Sequence, residues 1–241
     1  MPHPVMPRIP AQRAAAARAD RPVVAFFDVD ETLITVKSML DVLDHHFAER
    51  PEVLSRVRSE LFALRAAGTA RADLNRAYFR RLRGTEESEL ARHGRAWFET
   101  ALARGDLFHP PVRAALDRHR AAGHTVVLLS GSFSACLEPV ARHVSADLTV
   151  CTAPSAVGGV LTGEVDVPVL GEEKAVRARR VMRELGATAQ DCHAYGDDAG
   201  DLPILRSVGR PTVVGDDPTL TAWAHRLGWH RLPGVRAAAA A

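Results

Sequence analysis

The chain has 241 residues, of which 46% are hydrophobic and 25% charged, and its formal net charge at pH 7 is +2. This length allows one sizeable core, alone or with an insertion, whereas two independent domains would be cramped. The small net charge argues against nucleic acid or an anionic membrane as a partner, and no run reaches the roughly 20 apolar residues that span a bilayer.

Residues 1–20 contain four prolines followed by an alanine-rich stretch, a composition typical of a mobile tail. They lack the apolar core of a signal peptide. The three cysteines, Cys136, Cys151 and Cys192, show neither a CxxC pair nor a metal-binding spacing. We therefore expect a reduced, cytoplasmic setting.

An apolar run at residues 23–27 ends in Asp28, Asp30, Glu31 and Thr32. Its lack of alternation is typical of a strand that is covered on both faces, as in a parallel sheet. Side chains alternate along a strand, so Asp28 and Asp30 can point the same way. The alternative is a helix N-terminus, where acids and threonine are common caps without any chemistry.

Residues 37–106 change to helical periodicity, and we predict four helices there. Pro51 suits the first turn of the second helix, while Gly68 and Gly84 are typical helix stops. Each apolar stripe is narrow and the other face is rich in arginine. We call residues 37–106 the cap segment, since the pattern indicates a small helical bundle inserted after the first strand.

From residue 107 onward, predicted strands and helices alternate, which favours an α/β fold with a doubly wound parallel sheet. Two further strands end in polar turns, one at Ser130-Gly131-Ser132 and one at residues 196–201. Pro139 predicts a kink or break in a helix over 134–144, and Gly158-Gly159 predicts a hairpin. The remaining predictions are helices at 111–122, 172–185 and 218–227, strands at 124–129, 148–151, 192–195 and 211–214, and a C-terminal tail at 233–241.

The C-terminal ends of parallel strands meet at one sheet edge. We therefore expect three groups to meet there: Asp28, Asp30 and Thr32; Ser130 and Gly131; Asp197 and Asp201. Lys174 would join them from a helix. It is one of only two lysines among 31 lysines and arginines, the other being Lys37.

Carboxylate oxygens without histidine or cysteine suit Mg²⁺, which usually retains water and a substrate phosphate. In such a site one carboxylate can attack phosphorus while its neighbour moves the proton of the leaving group. Ser130 and the amides near Gly131 can hold phosphate oxygens.

Four sequence motifs resemble those of the haloacid dehalogenase superfamily: residues 28–33 (DVDETL), residues 130–133 (SGSF), Lys174, and Gly196-Asp197 with Asp201. The helical insert is similar to that of the phosphoserine-phosphatase-like branch. The resemblance covers about residues 22–231. It implies a Rossmann-like core at residues 21–36 and 107–232, with residues 37–106 as a helical cap.

The resemblance also implies roles for single residues. Asp28 would be the nucleophile, Asp30 the general acid and base, and Lys174 a charge stabiliser. Thr32 and Ser130 would contact the phosphate. Mg²⁺ would be held by Asp28, the carbonyl of Asp30 and Asp197, with Asp201 in support.

Three positions depart from the family pattern. In phosphoserine phosphatases the ninth residue after the nucleophile is a glutamate that receives the amino group of the substrate, and here that position is Lys37. A lysine would repel an ammonium and favour a carboxylate, a second phosphate or a polyol, unless Lys37 simply points to water. Glu31 stands where glycine or serine is commoner, and Gly200 where asparagine is frequent.

The sequence thus predicts a magnesium-dependent phosphomonoesterase that acts on a small soluble phosphate ester other than phosphoserine. Two alternatives remain open: a phosphotransferase to a small alcohol, and a metabolite-binding regulatory module without turnover. We expect a monomer or homodimer, with neither nucleic acid nor membrane as a partner.

Overall fold

The structure is a computed structural model, and it describes residues 22–235. The tail predicted at residues 1–20 and the end of the tail predicted at 233–241 lie outside this range. No helix within it is long and apolar enough to cross a membrane.

The strands are β1 (Val24–Phe27), β2 (Thr125–Phe133), β3 (Leu148–Thr152), β4 (Pro154–Val157), β5 (Val160–Val165), β6 (His193–Gly196), β7 (Arg210–Val214) and β8 (His230–Leu232). The helices are α1 (Ser38–His46), α2 (Pro51–Ala66), α3 (Arg71–Arg80), α4 (Glu87–Ala103), α5 (Pro110–Ala121), α6 (Ser134–Val144), α7 (Glu172–Leu185), α8 (Leu202–Leu205) and α9 (Pro218–Leu227).

Six strands form one parallel sheet in the order β3-β2-β1-β6-β7-β8. The chain adds β2 and β3 on one side of β1 and then crosses to the other side for β6. The strand order therefore reverses at β1 and β6, and in open α/β sheets ligands bind beyond the carboxyl ends of the strands at such a point. The predicted doubly wound, Rossmann-like sheet is confirmed.

Strand β1 is buried on both faces, which explains why its sequence does not alternate. Val24 and Phe26 pack into one hydrophobic cluster, which includes residues of α7, α8 and α9. Ala25 and Phe27 pack into the other, which includes residues of α1 to α6. All four are at most 1% exposed, so β1 is the central element of the core.

The cap segment contains the four predicted helices, and its end is joined to a hairpin from later in the chain. Strands β4 and β5 pair antiparallel through the turn at Gly158-Gly159, as predicted. Three backbone hydrogen bonds connect this hairpin to the start of α4: Gly84 N to Leu161 O, Leu161 N to Thr85 O, and Glu87 N to Gly159 O. The cap segment therefore shares main-chain hydrogen bonds with a part of the chain that follows β3.

The structure differs from the local predictions at three places. Ser130-Gly131-Ser132 is not a turn, because β2 continues through it to Phe133 with a register shift against β3. The edge strand β8 was not predicted, since its three residues include His230 and Arg231 and carry no apolar run. Helix α6 is not broken at Pro139.

Pro139 is accommodated where α6 packs closely on α4. Proline has no N–H to donate to the carbonyl four residues earlier, which is that of Ala135. That carbonyl lies against Gly94 of α4, where an added Cβ would be 1.9 Å from the Ala135 oxygen. Glycine is therefore required at position 94 by the close approach of the two helices.

We predict that Gly94→Ala lowers the free energy of unfolding by about 1 to 3 kcal/mol, the usual cost of overpacking. Urea unfolding measures the loss. Arg95→Ala is the matched control because Arg95 is exposed on the same helix, and it should change stability by less than about 0.5 kcal/mol. Equal effects of the two substitutions would contradict the close approach of α4 and α6.

Candidate active site

A buried ammonium group lies between two carboxylates at the carboxyl edge of the sheet. Lys174 Nζ, from the first turn of α7, is 2.5 Å from Asp28 Oδ1 and 2.6 Å from Asp201 Oδ1. All three residues are at least nine-tenths buried. Burial alone would lower the pKa of Lys174, but Asp201 and Asp28 together hold it above its ordinary value. The lysine is therefore charged at neutral pH.

Asp197 completes this group from the turn after β6. The Thr32 hydroxyl lies 2.7 Å from Asp197 Oδ1 and 3.1 Å from Asp28 Oδ2. Asp201 Oδ2 accepts the backbone N–H of Asp197 at 3.2 Å. Asp28 arrives directly after β1, so the reversal in strand order brings these side chains together, as the sequence predicted.

The carboxylates of Asp28, Asp197 and Asp201 offer oxygens within 4.8 Å of one another. Burial, followed by the charges of Asp28 and Asp201, raises the pKa of Asp197. Burial also raises the pKa of Asp201, although Lys174 opposes the shift. Crowded carboxylates of this kind are stabilised by a cation, and an all-oxygen donor set fits a hard divalent ion. The residues present therefore fit Mg²⁺.

Asp30 lies at the N-terminus of α1, where its Oδ1 accepts the backbone N–H of Ser38 at 3.2 Å. The acidic run itself does not begin a helix, since α1 begins at Ser38 with Lys37 as its N-cap residue. Burial raises the pKa of Asp30 to about 7, against the lowering effect of the Ser38 hydrogen bond. A carboxyl group with this pKa can both give and take a proton near neutral pH.

The Ser130 hydroxyl is buried on β2 and accepts the backbone N–H of Ser132 at 3.1 Å. An added Cβ at Gly131 would lie 2.3 Å from Leu170 Cδ2, so only glycine fits there without a shift of Leu170. The carbonyl of Gly131 accepts hydrogen bonds from Asn75 Nδ2 at 3.1 Å and from Thr152 Oγ1 at 2.9 Å. Contacts from two other elements thus fix the backbone at this position.

Lys37 does not lie free in solvent: it forms an ion pair with Glu31. Glu31 has a φ of +62°, a backbone conformation that favours glycine, which accounts for the glycine commonly found there. The Lys37 charge also lowers the pKa of Asp30, although it is the smallest of the causes. Two departures from the family pattern are therefore one structural unit beside the acidic run.

The third departure, Gly200, makes room for a residue that sequence reasoning did not single out. Arg71 Nη1, from α3, lies 2.6 Å from Asp198 Oδ1 and 2.5 Å from Asp198 Oδ2. An added Cβ at Gly200 would lie 2.6 Å from the same Arg71 nitrogen. Asp198 therefore joins the cap segment to the turn that carries Asp197 and Asp201.

Asn75 of α3 was also not identified from the sequence. It is buried, at 8% exposed, and its side chain donates to the carbonyl of Gly131. Its Oδ1 is buried without a hydrogen-bond partner among residues 22–235. Its position within a narrow apolar stripe was the available signal, since asparagine is seldom buried without a polar partner.

Comparison with known proteins agrees with the fold. Residues 25–206 match the haloacid dehalogenase-like hydrolase family. An inhibition of morphological differentiation protein of Streptomyces azureus is 32% identical over 228 residues, covering 85% of this chain and 76% of that protein. A protein of Mycobacterium tuberculosis named as a probable phosphatase is 30% identical over 233 residues, covering 92% and 78%. A structure described as a phospho-aspartyl intermediate analogue of phosphoserine phosphatase superposes with a TM-score of 0.62 at 15% identity, covering 84% and 91%.

This chain belongs to the haloacid dehalogenase-like hydrolases, and its fold is that of the phosphoserine phosphatase structure. The family and the relative named as a phosphatase together make it a phosphatase.

We predict that Gly200→Asn destabilises the protein by about 1 kcal/mol or less, because the new side chain displaces the partly exposed Arg71 guanidinium from Asp198. The cost should be smaller when Arg71 is already alanine. Urea unfolding of Gly200→Asn, Arg71→Ala and the double variant measures this coupling. Strictly additive losses would show that Arg71 does not occupy this space in solution.

Proposed function

We propose that this phosphatase hydrolyses a small phosphate monoester in two steps through an aspartyl-phosphate on Asp28, with Mg²⁺ as its cofactor. The observation that carries the proposal is the group formed by Asp28, Lys174, Asp201 and Asp197 at the point where the strand order reverses. In this site a nucleophilic carboxylate is paired with a fixed buried cation next to further carboxylates.

In the first step, a carboxylate oxygen of Asp28 attacks phosphorus and the bond from phosphorus to the ester oxygen breaks. Asp30 supplies the proton that the leaving alcohol requires. In the second step Asp30 takes a proton from water, which attacks phosphorus and frees the Asp28 carboxylate. A pKa of about 7 suits Asp30 to both steps.

Lys174 holds Asp28 Oδ1 in place and offsets negative charge in the site. Ser130 and the backbone near Gly131 would bind phosphate oxygens, and Thr32 orients Asp28 and Asp197 through its hydroxyl. Asp28, the Asp30 carbonyl and Asp197 would hold Mg²⁺, with Asp201 in support. When bound, the ion would offset the charge between the nucleophile and the phosphate.

We predict that Asp28→Asn abolishes phosphate release and covalent phosphate trapping, because the amide is not a nucleophile. The readouts are phosphate release from an aryl phosphate and acid-stable labelling of the protein. Asp117→Asn removes an exposed carboxylate of α5 and should leave both unchanged. Retained turnover in Asp28→Asn would contradict the mechanism.

The same assays separate the alternatives. A regulatory module without turnover is excluded by hydrolysis of any aryl phosphate by the unaltered protein. A phosphotransferase would pass the phosphoryl group from Asp28 to an added alcohol, so the ratio of phosphorylated alcohol to free phosphate distinguishes it from a hydrolase.

The substrate is proposed to be other than phosphoserine because Lys37 and Glu31 neutralise each other. An incoming ammonium finds the Glu31 carboxylate already paired and the Lys37 ammonium beside it. A substrate with a carboxylate or a second phosphate could take the place of Glu31 beside the Lys37 ammonium, and a polyol could form hydrogen bonds with the pair. The cytoplasmic location, the division into core and cap, and the monomeric or dimeric state remain predictions.

We predict that Lys37→Glu raises the kcat/KM for phosphoserine and lowers it for the preferred substrate. A phosphate-release screen over phosphorylated amino acids, sugars, polyols and nucleotides identifies that substrate. Lys37→Met is the matched control, since it removes the cation without adding an anion and should give an intermediate result. If Lys37→Glu leaves the whole profile unchanged, Lys37 does not select the substrate.

A further inference from the structure

A second group of potential metal ligands lies within the cap segment, on helices other than the one that carries Arg71 and Asn75. His46 ends α1, and Glu89 and His93 lie one turn apart on α4. Each offers one ligand atom, and the three atoms lie within 4.8 Å of one another. The group thus combines two imidazoles and one carboxylate, a donor set that proteins use for Zn²⁺ and related ions.

Two of the three donor separations in this group match those of a tetrahedral metal site. Glu89 Oε1 is 3.5 Å from His46 Nδ1 and 3.5 Å from His93 Nε2. Donor atoms about 2.0 to 2.2 Å from a tetrahedral Zn²⁺ lie about 3.3 to 3.6 Å apart. Two of the three donor pairs therefore already have the required separation.

The environment of His46 points to a cation at this position. The residue is 7% exposed, and its Nδ1 is buried with no hydrogen-bond partner among residues 22–235. Its other ring nitrogen, Nε2, lies 3.5 Å from the Thr85 hydroxyl. When Nε2–H donates to Thr85, the Nδ1 lone pair faces the Glu89 carboxylate oxygen. A cation between these two acceptors would satisfy both, and the Thr85 contact would fix the ring orientation as partners of metal-bound histidines do.

The three ligands also leave room for exchange with solvent. The side chain of Glu89 is 36% exposed and that of His93 is 17% exposed. An ion at this position would therefore be held by one buried and two partly exposed side chains. Water could reach it as a fourth ligand. Zn²⁺ sites with three protein ligands keep that fourth position for water or substrate.

A second histidine group, formed by His119, His124 and His193, fits a metal less well. His119 Nδ1 and His124 Nδ1 are already 2.7 Å apart in a hydrogen bond, which is shorter than the separation that a tetrahedral ion requires. No carboxylate belongs to that group. After burial, the positive charge of Arg210 lowers the pKa of both His124 and His193. The same charge would repel a cation bound there.

We propose that His46, Glu89 and His93 bind a divalent transition-metal ion of the Zn²⁺ class, at a site separate from the carboxylate group of the active site. The ion would join the C-terminal end of α1 to the first turns of α4. The other end of α1 contacts the active site, since the Ser38 N–H donates to Asp30. The site would therefore stabilise the helix that orients Asp30.

The test uses the full chain after removal of metals with a chelator. Co²⁺ and Zn²⁺ are added separately, with excess Mg²⁺ present to fill the carboxylate site. We expect saturable binding of one Co²⁺ with visible absorption, its displacement by Zn²⁺, and an increase in melting temperature with Zn²⁺. Glu89→Gln and His93→Gln should each weaken Zn²⁺ binding at least tenfold, and the stabilisation by Zn²⁺ should be lost.

Two control variants test the other places where such an ion could bind. His124→Gln alters the second histidine group and Asp197→Asn the carboxylate group, and both should bind Co²⁺ and Zn²⁺ as the unaltered protein does. Loss of binding in either control, with retention in Glu89→Gln and His93→Gln, would overturn the proposal. Absence of saturable Zn²⁺ binding in the unaltered protein would also overturn it, because a proton shared between His46 and Glu89 would then account for their contact.

Discussion

The candidate active site depends on one buried lysine among carboxylates. Asp28, Asp201 and Asp197 come from two different strand ends, and without a cation their mutual repulsion would oppose the fold of that sheet edge. Lys174 contacts two of them directly, and Thr32 bridges the third to Asp28. A buried ion pair of this kind contributes more to the arrangement of a site than to net stability, since removing charges from water is costly.

The sheet determines which residues can take part. Because the strand order reverses at β1 and β6, the turns that follow these two strands face each other across a crevice. Asp28 follows one of them and Asp197 the other. Lys174 enters from the first turn of a helix, which fixes its position more firmly than a loop would. The candidate site is therefore held by strand ends and a helix start, and Arg71 and Asn75 of the cap segment contact the same edge of the sheet.

The predictable part of the site was the part that belongs to this sheet. Apolar runs that end in polar residues indicate strand ends, and parallel strand ends must gather at one edge, so Asp28 and Asp197 could be placed from the sequence. Ser130 could not be placed in this way, because it lies within β2, which continues to Phe133. Arg71 could not, because many arginines line the cap helices and nothing in their spacing shows which one pairs with Asp198. Asn75 did carry a signal, since it is a polar residue within the narrow apolar stripe of α3. The strand β8 was missed because an edge strand of three residues has no apolar run to reveal it.

The cap segment is held on its two sides by interactions of different strength. On the hairpin side, three backbone hydrogen bonds link residues 84–87 to β5 and its turn. On the active-site side, the ion pairs of Arg71 with Asp198 and of Lys37 with Glu31 are partly exposed, and each such pair is worth about 1 kcal/mol or less. Salt weakens the second set far more than the first. Raising the ionic strength should therefore loosen the contacts of Arg71 and Lys37 before it loosens those between the cap segment and the hairpin.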